Sequence, residues 1–92
     1  MPRVRDLATG SELVAKEMGG KKDKLLPLHY ADVESIIFIH EGECVFILDG
    51  KEIELKAGDA HIVPPKVKHQ FLGITDFKGI HFMPKDIRFT FF

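Results

Sequence analysis

Five histidines stand out in this sequence as side chains able to ligate a metal or move a proton near neutral pH. His29 comes after Pro27-Leu28 and just before a polar turn at Ala31-Asp32. His69 follows Pro64-Pro65-Lys66-Val67-Lys68 and opens an apolar stretch that continues through Phe71. Each sits beside a proline-bearing irregular segment, where binding groups are commonly mounted on a fold. Two such imidazoles at comparable points of an antiparallel barrel can face one cavity; singly, each is an ordinary structural histidine. His40 alternates with Ile36 and Phe38, opposite Ser35, Ile37 and Ile39, and one of these faces is the interior. His61 and His81 lie in strand-like stretches whose inward parity the sequence leaves open. For His40, His61 and His81 the default is a ring satisfied by water or a backbone carbonyl. Cys44, alone of its kind, cannot form an internal disulfide and lies in an apolar run as a small inert hydrophobe.

The elements that must position these rings are short. Glycines at 42, 50 and 58 punctuate the middle of the chain at intervals of eight. Between them lie Cys44-Val45-Phe46-Ile47-Leu48 and Ile53-Glu54-Leu55. Asp49-Gly50 is a strong two-residue hairpin signal, because both turn positions need positive φ. Ile53, Leu55 and Ala57 alternate with charged neighbours, the pattern of a half-buried strand. Further strands are expected over Glu34–Glu41, Ala60–Val63, His69–Leu72 and Gly79–Met83, with Pro64-Pro65 ending the second of these. Ser11–Met18 has some helical propensity but is read as a strand. Gly19–Lys24 then serves as a hairpin loop into a strand over Leu25–Leu28, with His29 at its close. The tail Phe89-Thr90-Phe91-Phe92 is apolar for a chain end. It is expected to pack on its own barrel or on a dimer partner. Even spacing and no long helical pattern make the fold class all-β, a sandwich or barrel.

Length and composition set the outer bounds. Ninety-two residues fit one domain, 1–92, with one modest core. Thirteen basic against fourteen acidic residues leave a charge of −1, which offers no basic field for nucleic acid. No stretch nears the roughly 20 consecutive apolar residues of a membrane helix. The N-terminal Met1–Asp6 lacks the apolar centre of a secretory signal. With the lone cysteine, these features point to a reducing, cytoplasmic setting.

The run Ile36–Glu41 closing on Gly42, the pair Gly58-Asp59, and then Pro64 and His69 carry a specific spacing. Together they resemble the two motifs of the cupin family over Leu28–Phe71. In that family the first motif supplies two histidines and a glutamate before its closing glycine. The second supplies a proline, a glycine, a third histidine and an asparagine. The resemblance aligns the first family histidine with His29, the second with Ala31, and the glutamate with Ser35, Glu34 lying beside it. In the second motif Lys66 stands at the glycine and Gly73 at the asparagine. The resemblance implies a cupin-type antiparallel β-barrel, or jelly roll, with its functional pocket inside.

Family cupins hold a divalent metal with three histidines and a glutamate, so the resemblance implies His29 and His69 as metal ligands. Manganese, iron, nickel or zinc are the ions it suggests. A third ligand would have to come from His61, His81 or Asp32, because Ala31 has no donor and a serine hydroxyl is a poor one. The favoured reading is a metal-poor pocket for a small molecule. His29, Ser35 and His69 would supply hydrogen bonds there, beside Ile37 and Phe71. A metal-dependent dioxygenase or isomerase, with Ile37, Ile39, Ile47 and Phe71 as an apolar wall that excludes water, and a homodimeric interaction module are the alternatives. Fold likeness alone does not choose among them.

Overall fold

The computed structural model describes residues 4–92. Met1, Pro2 and Arg3, the head of the segment read as no secretory signal, lie outside the described residues. Ten strands follow in order: β1 Val4–Thr9, β2 Leu13–Gly20, β3 His29–Ala31, β4 Ser35–Glu41, β5 Glu43–Leu48, β6 Lys51–Lys56, β7 Ala60–Val63, β8 His69–Gly73, β9 Phe77–Pro84 and β10 Phe89–Phe91. They form two five-stranded sheets, ordered β1-β2-β9-β4-β7 and β10-β3-β8-β5-β6, and every pairing of neighbouring strands is antiparallel. This all-β, double-sheet architecture is the jelly roll expected. No helix among the described residues is long and apolar enough to cross a membrane.

Alternation explains which side chains meet between the sheets. From β4, Ile37 and Ile39 turn inward; from β5, Cys44 and Phe46; from β6, Leu55; from β7, Val63; from β8 and β9, Phe71 and Phe77. These eight buried residues form one continuous core. Ile36, Phe38 and His40 therefore face outward, which settles the parity of β4. Ile47, expected in the apolar wall, faces outward as well: its register partners are Gln70 and Glu52, whereas Phe46 pairs with Phe71 and Ile53. Cys44 is a buried free thiol whose pKa burial pushes up to about 12, so it stays protonated and inert.

Three turns set the strand positions. Asp49 and Gly50 both have positive φ, 49° and 80°, and close the β5–β6 hairpin as its turn chemistry requires. Gly42 has φ 75°, and a Cβ there would lie 2.1 Å from the Asp76 carbonyl oxygen, so only glycine fits between β4 and β5. Lys66 has φ 61°, and its N–H donates to Ala31 O at 2.7 Å, tying the β7–β8 turn to the end of β3. A left-handed conformation strains a residue with a Cβ by about 1–2 kcal/mol. Glycine, which relieves it, costs up to about 1 kcal/mol in chain entropy. Lys66→Gly should therefore raise the thermal midpoint by a few degrees, at about 4–8 °C per kcal/mol for a domain this size. A melt followed by circular dichroism checks this, and a lowered midpoint would refute it.

Two local expectations need correction. Leu25–Leu28 is not a strand: it runs extended beside β8 through an isolated Leu25–Leu72 bridge and a Leu26 N–H bond to Phe71 O, and His29 opens β3 rather than closing an earlier strand. Proline at 27 removes a ladder donor there. Gly19 and Gly20 belong to β2, whose partners are β1 and β9, so the lysine-rich turn after them carries the chain to the other sheet and closes no hairpin. The strand expected over Ser11–Met18 is present as β2, and the aromatic tail packs on its own barrel, with β10 paired to β3.

Candidate functional site

A cavity of about 640 Å³ opens between the two sheets, with His29, His69, His81, Ile37 and Phe71 in its lining. The pairing of β3 with β8 aligns His29 directly with His69, and their rings meet edge to face at 4.4 Å. Across the cavity, β9 pairs with β4 so that His81 stands opposite Ile37, which is buried and inward. That register places His81 on the inner face. On its other side His81 aligns with Lys16 of β2, and Lys16 Nζ lies 3.5 Å from Asp6 Oδ1 at the rim.

Each ring is held by a specific hydrogen bond. His29 Nδ1 donates to Pro27 O at 2.9 Å and His69 Nδ1 to Val67 O at 3.1 Å. A carbonyl can only accept, so Nδ1 carries a proton in both rings, and in the neutral imidazole Nε2 is then the free acceptor. Among the described residues no buried side-chain nitrogen or oxygen lacks a partner, so the unbonded Nε2 of His69 is reached from the cavity although the residue is only 2% exposed. His81 Nε2 and Ser35 Oγ share a hydrogen bond of 2.7 Å. Aromatic rings complete the surroundings: Phe91 stacks on His29 at 4.8 Å, and Phe46 lies edge-on to His69 at 5.6 Å.

The site favours the neutral forms of His69 and His81. Burial lowers the pKa of His69, partly offset by its bond to Val67 and assisted by the nearby His29. His81 falls from 6.5 to about 4, mainly through burial and further through the neighbouring His69 and His29. A second imidazolium in so small an apolar space would be repelled as well as poorly solvated.

Of the residues singled out from the sequence, His29, Ile37, His69 and Phe71 line the cavity, while Ser35 sits behind His81 as its hydrogen-bond partner. His61 also aligns with Ile37, from β7, but its ring packs edge-on against Phe46 at 5.4 Å and its Nδ1 bonds Ile62 O; it is not part of the lining. Asp32 does not fold into the site: it is exposed and its Oδ1 accepts from the Arg88 N–H at 2.9 Å. The sequence marks Phe89 and Phe91 only as part of an apolar tail, yet both reach the lining because β10 joins β3. Their alternation around Thr90 was the available signal. Met18, Val63 and Met83 had no such signal, since nothing distinguishes a cavity wall from a filled core in one sequence.

The donor set does not make a four-ligand metal centre. Ala31 and Ser35 occupy the places of the family's second histidine and glutamate, and neither offers a strong donor. Among the described residues no group of three or more His, Cys, Asp or Glu side chains is arranged to hold a metal ion. Two free imidazole nitrogens and a third ring turned to a serine are what remains.

The sequence model of the cupin domain matches residues 19–80. No curated protein matches the chain. Among solved structures, the chain is similar to salicylate 1,2-dioxygenase from Pseudoaminobacter salicylatoxidans, with a TM-score of 0.85 at 15% identity, covering 98% of this chain and 31% of that one. The same dioxygenase in complex with gentisate gives a TM-score of 0.79 at 16% identity over 87% of this chain and 24% of that one. A conserved protein of unknown function from Streptococcus pyogenes gives a TM-score of 0.79 at 15% identity, covering 92% of this chain and 75% of that one. The chain thus spans about a quarter to a third of the dioxygenase.

Proposed function

The chain belongs to the cupin family, and on that premise we propose that it binds a small organic molecule carrying hydroxyl or amino donors in the cavity around His29 and His69. The observation that carries this reading is the pair of rings whose Nδ1 atoms are committed to backbone carbonyls while each Nε2 is free. Two adjacent acceptors in a largely apolar space lose free energy unless a donor meets them. A ligand with paired donors, such as a vicinal diol, supplies both. The apolar walls of Ile37, Phe71 and Phe91 take its body, and about 640 Å³ is an ordinary size for such a site. His81, steadied by Ser35, faces the same space as a third polar group. The alternative that the family suggests, a metal-dependent dioxygenase or isomerase, needs third and fourth donors that Ala31 and Ser35 do not supply.

Catechol and its dimethyl ether, titrated into the protein by calorimetry, test the reading. Catechol should bind at least about tenfold more tightly than the ether, whose oxygens can only accept. His69→Ala should weaken catechol by roughly 5–150-fold, the range for losing one hydrogen bond in a buried site. Equal affinity for the two compounds would overturn the proposal. So would near one equivalent of a transition metal retained through purification and lost with His69→Ala.

A further inference from the structure

Polarity in the cavity is ordered along two facing rows of side chains. In the sheet β1-β2-β9-β4-β7, register aligns Asp6, Lys16, His81 and Ile37 across four adjacent strands, and all four line the cavity. In the other sheet Phe91, His29 and His69 align across β10, β3 and β8 and line it from the opposite side. The rows face each other, since the His81 ring lies 6.2 Å from that of Phe89 on β10. β1 and β10 are edge strands, both contribute to the lining, and every residue of β1 is exposed, so the cavity opens on this side. From the mouth inward the first row therefore runs carboxylate, ammonium, imidazole, aliphatic.

Lysine is an unusual wall for a largely apolar space. Strand parity turns Lys16 inward together with Val14 and Met18, which also line the cavity. Its ammonium is loosely held: Nζ lies 3.5 Å from Asp6 Oδ1, and the Asp6 side chain is 68% exposed against 39% for Lys16. An exposed pair at that distance is weak, so another carboxylate can take the place of Asp6 and leave Asp6 to water. Lys85, just past β9, is the other ammonium in the lining, and among the described residues no carboxylate pairs with it. With His69 and His81 neutral, two ammonium groups thus stand against one carboxylate.

We propose that the ligand is a hydroxylated carboxylic acid bound as its anion, with its hydroxyls on the His29–His69 pair and its carboxylate on Lys16. The proposal rests on the reading of the two free Nε2 acceptors and adds the ligand's charge and direction to it. Neighbouring strands lie about 4.8 Å apart and facing sheets about 10 Å, so the histidine pair and Lys16 are reached from opposite ends of a small ring. The carboxylate then keeps one side toward water at the mouth while the ring packs on Ile37 and Phe71. An acid whose hydroxyls stand remote from its carboxylate has this shape; one with the two groups side by side does not.

Calorimetric titration of the full chain with 3,4-dihydroxybenzoate, its 2,3-isomer, benzoate and catechol tests this, at about pH 7.5, where a carboxylate is ionised. 3,4-Dihydroxybenzoate should bind about tenfold more tightly than catechol, the low end for a hydrogen bond to a charged group. The 2,3-isomer should show no such gain. Lys16→Met should abolish the preference, so that catechol and the acid bind alike. Asp6→Asn should strengthen binding of the acid by about two- to fivefold, because it removes the competing carboxylate from a weak pair. That gain is one that a damaged fold cannot mimic. An acid that binds no better than catechol, or whose advantage survives Lys16→Met, would overturn this inference and leave the preference for catechol over its ether intact. Benzoate that binds as tightly as 3,4-dihydroxybenzoate would instead overturn the histidine-pair reading beneath it.

Discussion

Phe46→Ala is expected to cost about 3–5 kcal/mol of stability, the range for emptying a buried aromatic position. Phe46 is fully buried on β5. Its ring stacks on Phe71 at 4.8 Å and lies edge-on to His61 and His69 at 5.4 and 5.6 Å. Two of the neighbouring rings are tethered away from the space, His61 by Ile62 O and His69 by Val67 O. The stability of a chain of 92 residues is on the order of 5–14 kcal/mol, so this loss takes a large share of it. Urea unfolding of the variant and wild type measures the difference at an unchanged slope. A loss below about 1.5 kcal/mol would mean that the cavity collapses and that the ring does not anchor the two sheets.

The same residue shows what could and could not be read without coordinates. Cys44–Leu48 is apolar at every position, so its β-branched and aromatic content marks a strand, but no alternation tells which side is inside. The sequence suggests Ile47 for the wall, whereas the register against Phe71 and Ile53 turns Phe46 inward and Ile47 out. Local chemistry was legible: Asp49-Gly50 dictated its hairpin, and the prolines before His69 marked the turn that mounts it. The alignment of His29 with His69 was legible only through the motif spacing, because the two residues are far apart in the chain. His81 was out of reach, since its inward direction depends on how β9 meets β4, and a register shift between Ile39 and Glu41 intervenes in that pair. β1 was missed for a related reason. All six of its residues are exposed, and an irregularity between Asp6 and Ala8 breaks its period, leaving no apolar pattern to find.

That unforeseen ring should govern the response to acid. His81 has a folded pKa of about 4 against an ordinary 6.5, because burial and the two neighbouring imidazoles oppose its charge. Above pH 6.5 the ring is neutral in both the folded and unfolded chain and contributes no pH dependence. As pH falls below 6.5 the unfolded chain gains a proton that the folded chain refuses, so stability drops. The loss continues until the folded ring itself protonates near pH 4 and is constant below that. Such a shift corresponds to roughly 3–4 kcal/mol, at about 1.4 kcal/mol per pH unit, with His69 acting in the same direction. His81→Gln removes the titration and keeps an amide for the Ser35 hydroxyl. Urea midpoints measured at intervals from pH 7.5 to 4.5 should therefore fall more steeply for the wild type than for the variant, and the gap should open below pH 6.5. Parallel curves would mean that the ring takes up its proton in the folded state near the ordinary pH. The cavity would then be wet enough to hold a cation, and the reading of a neutral, apolar pocket would fall with it.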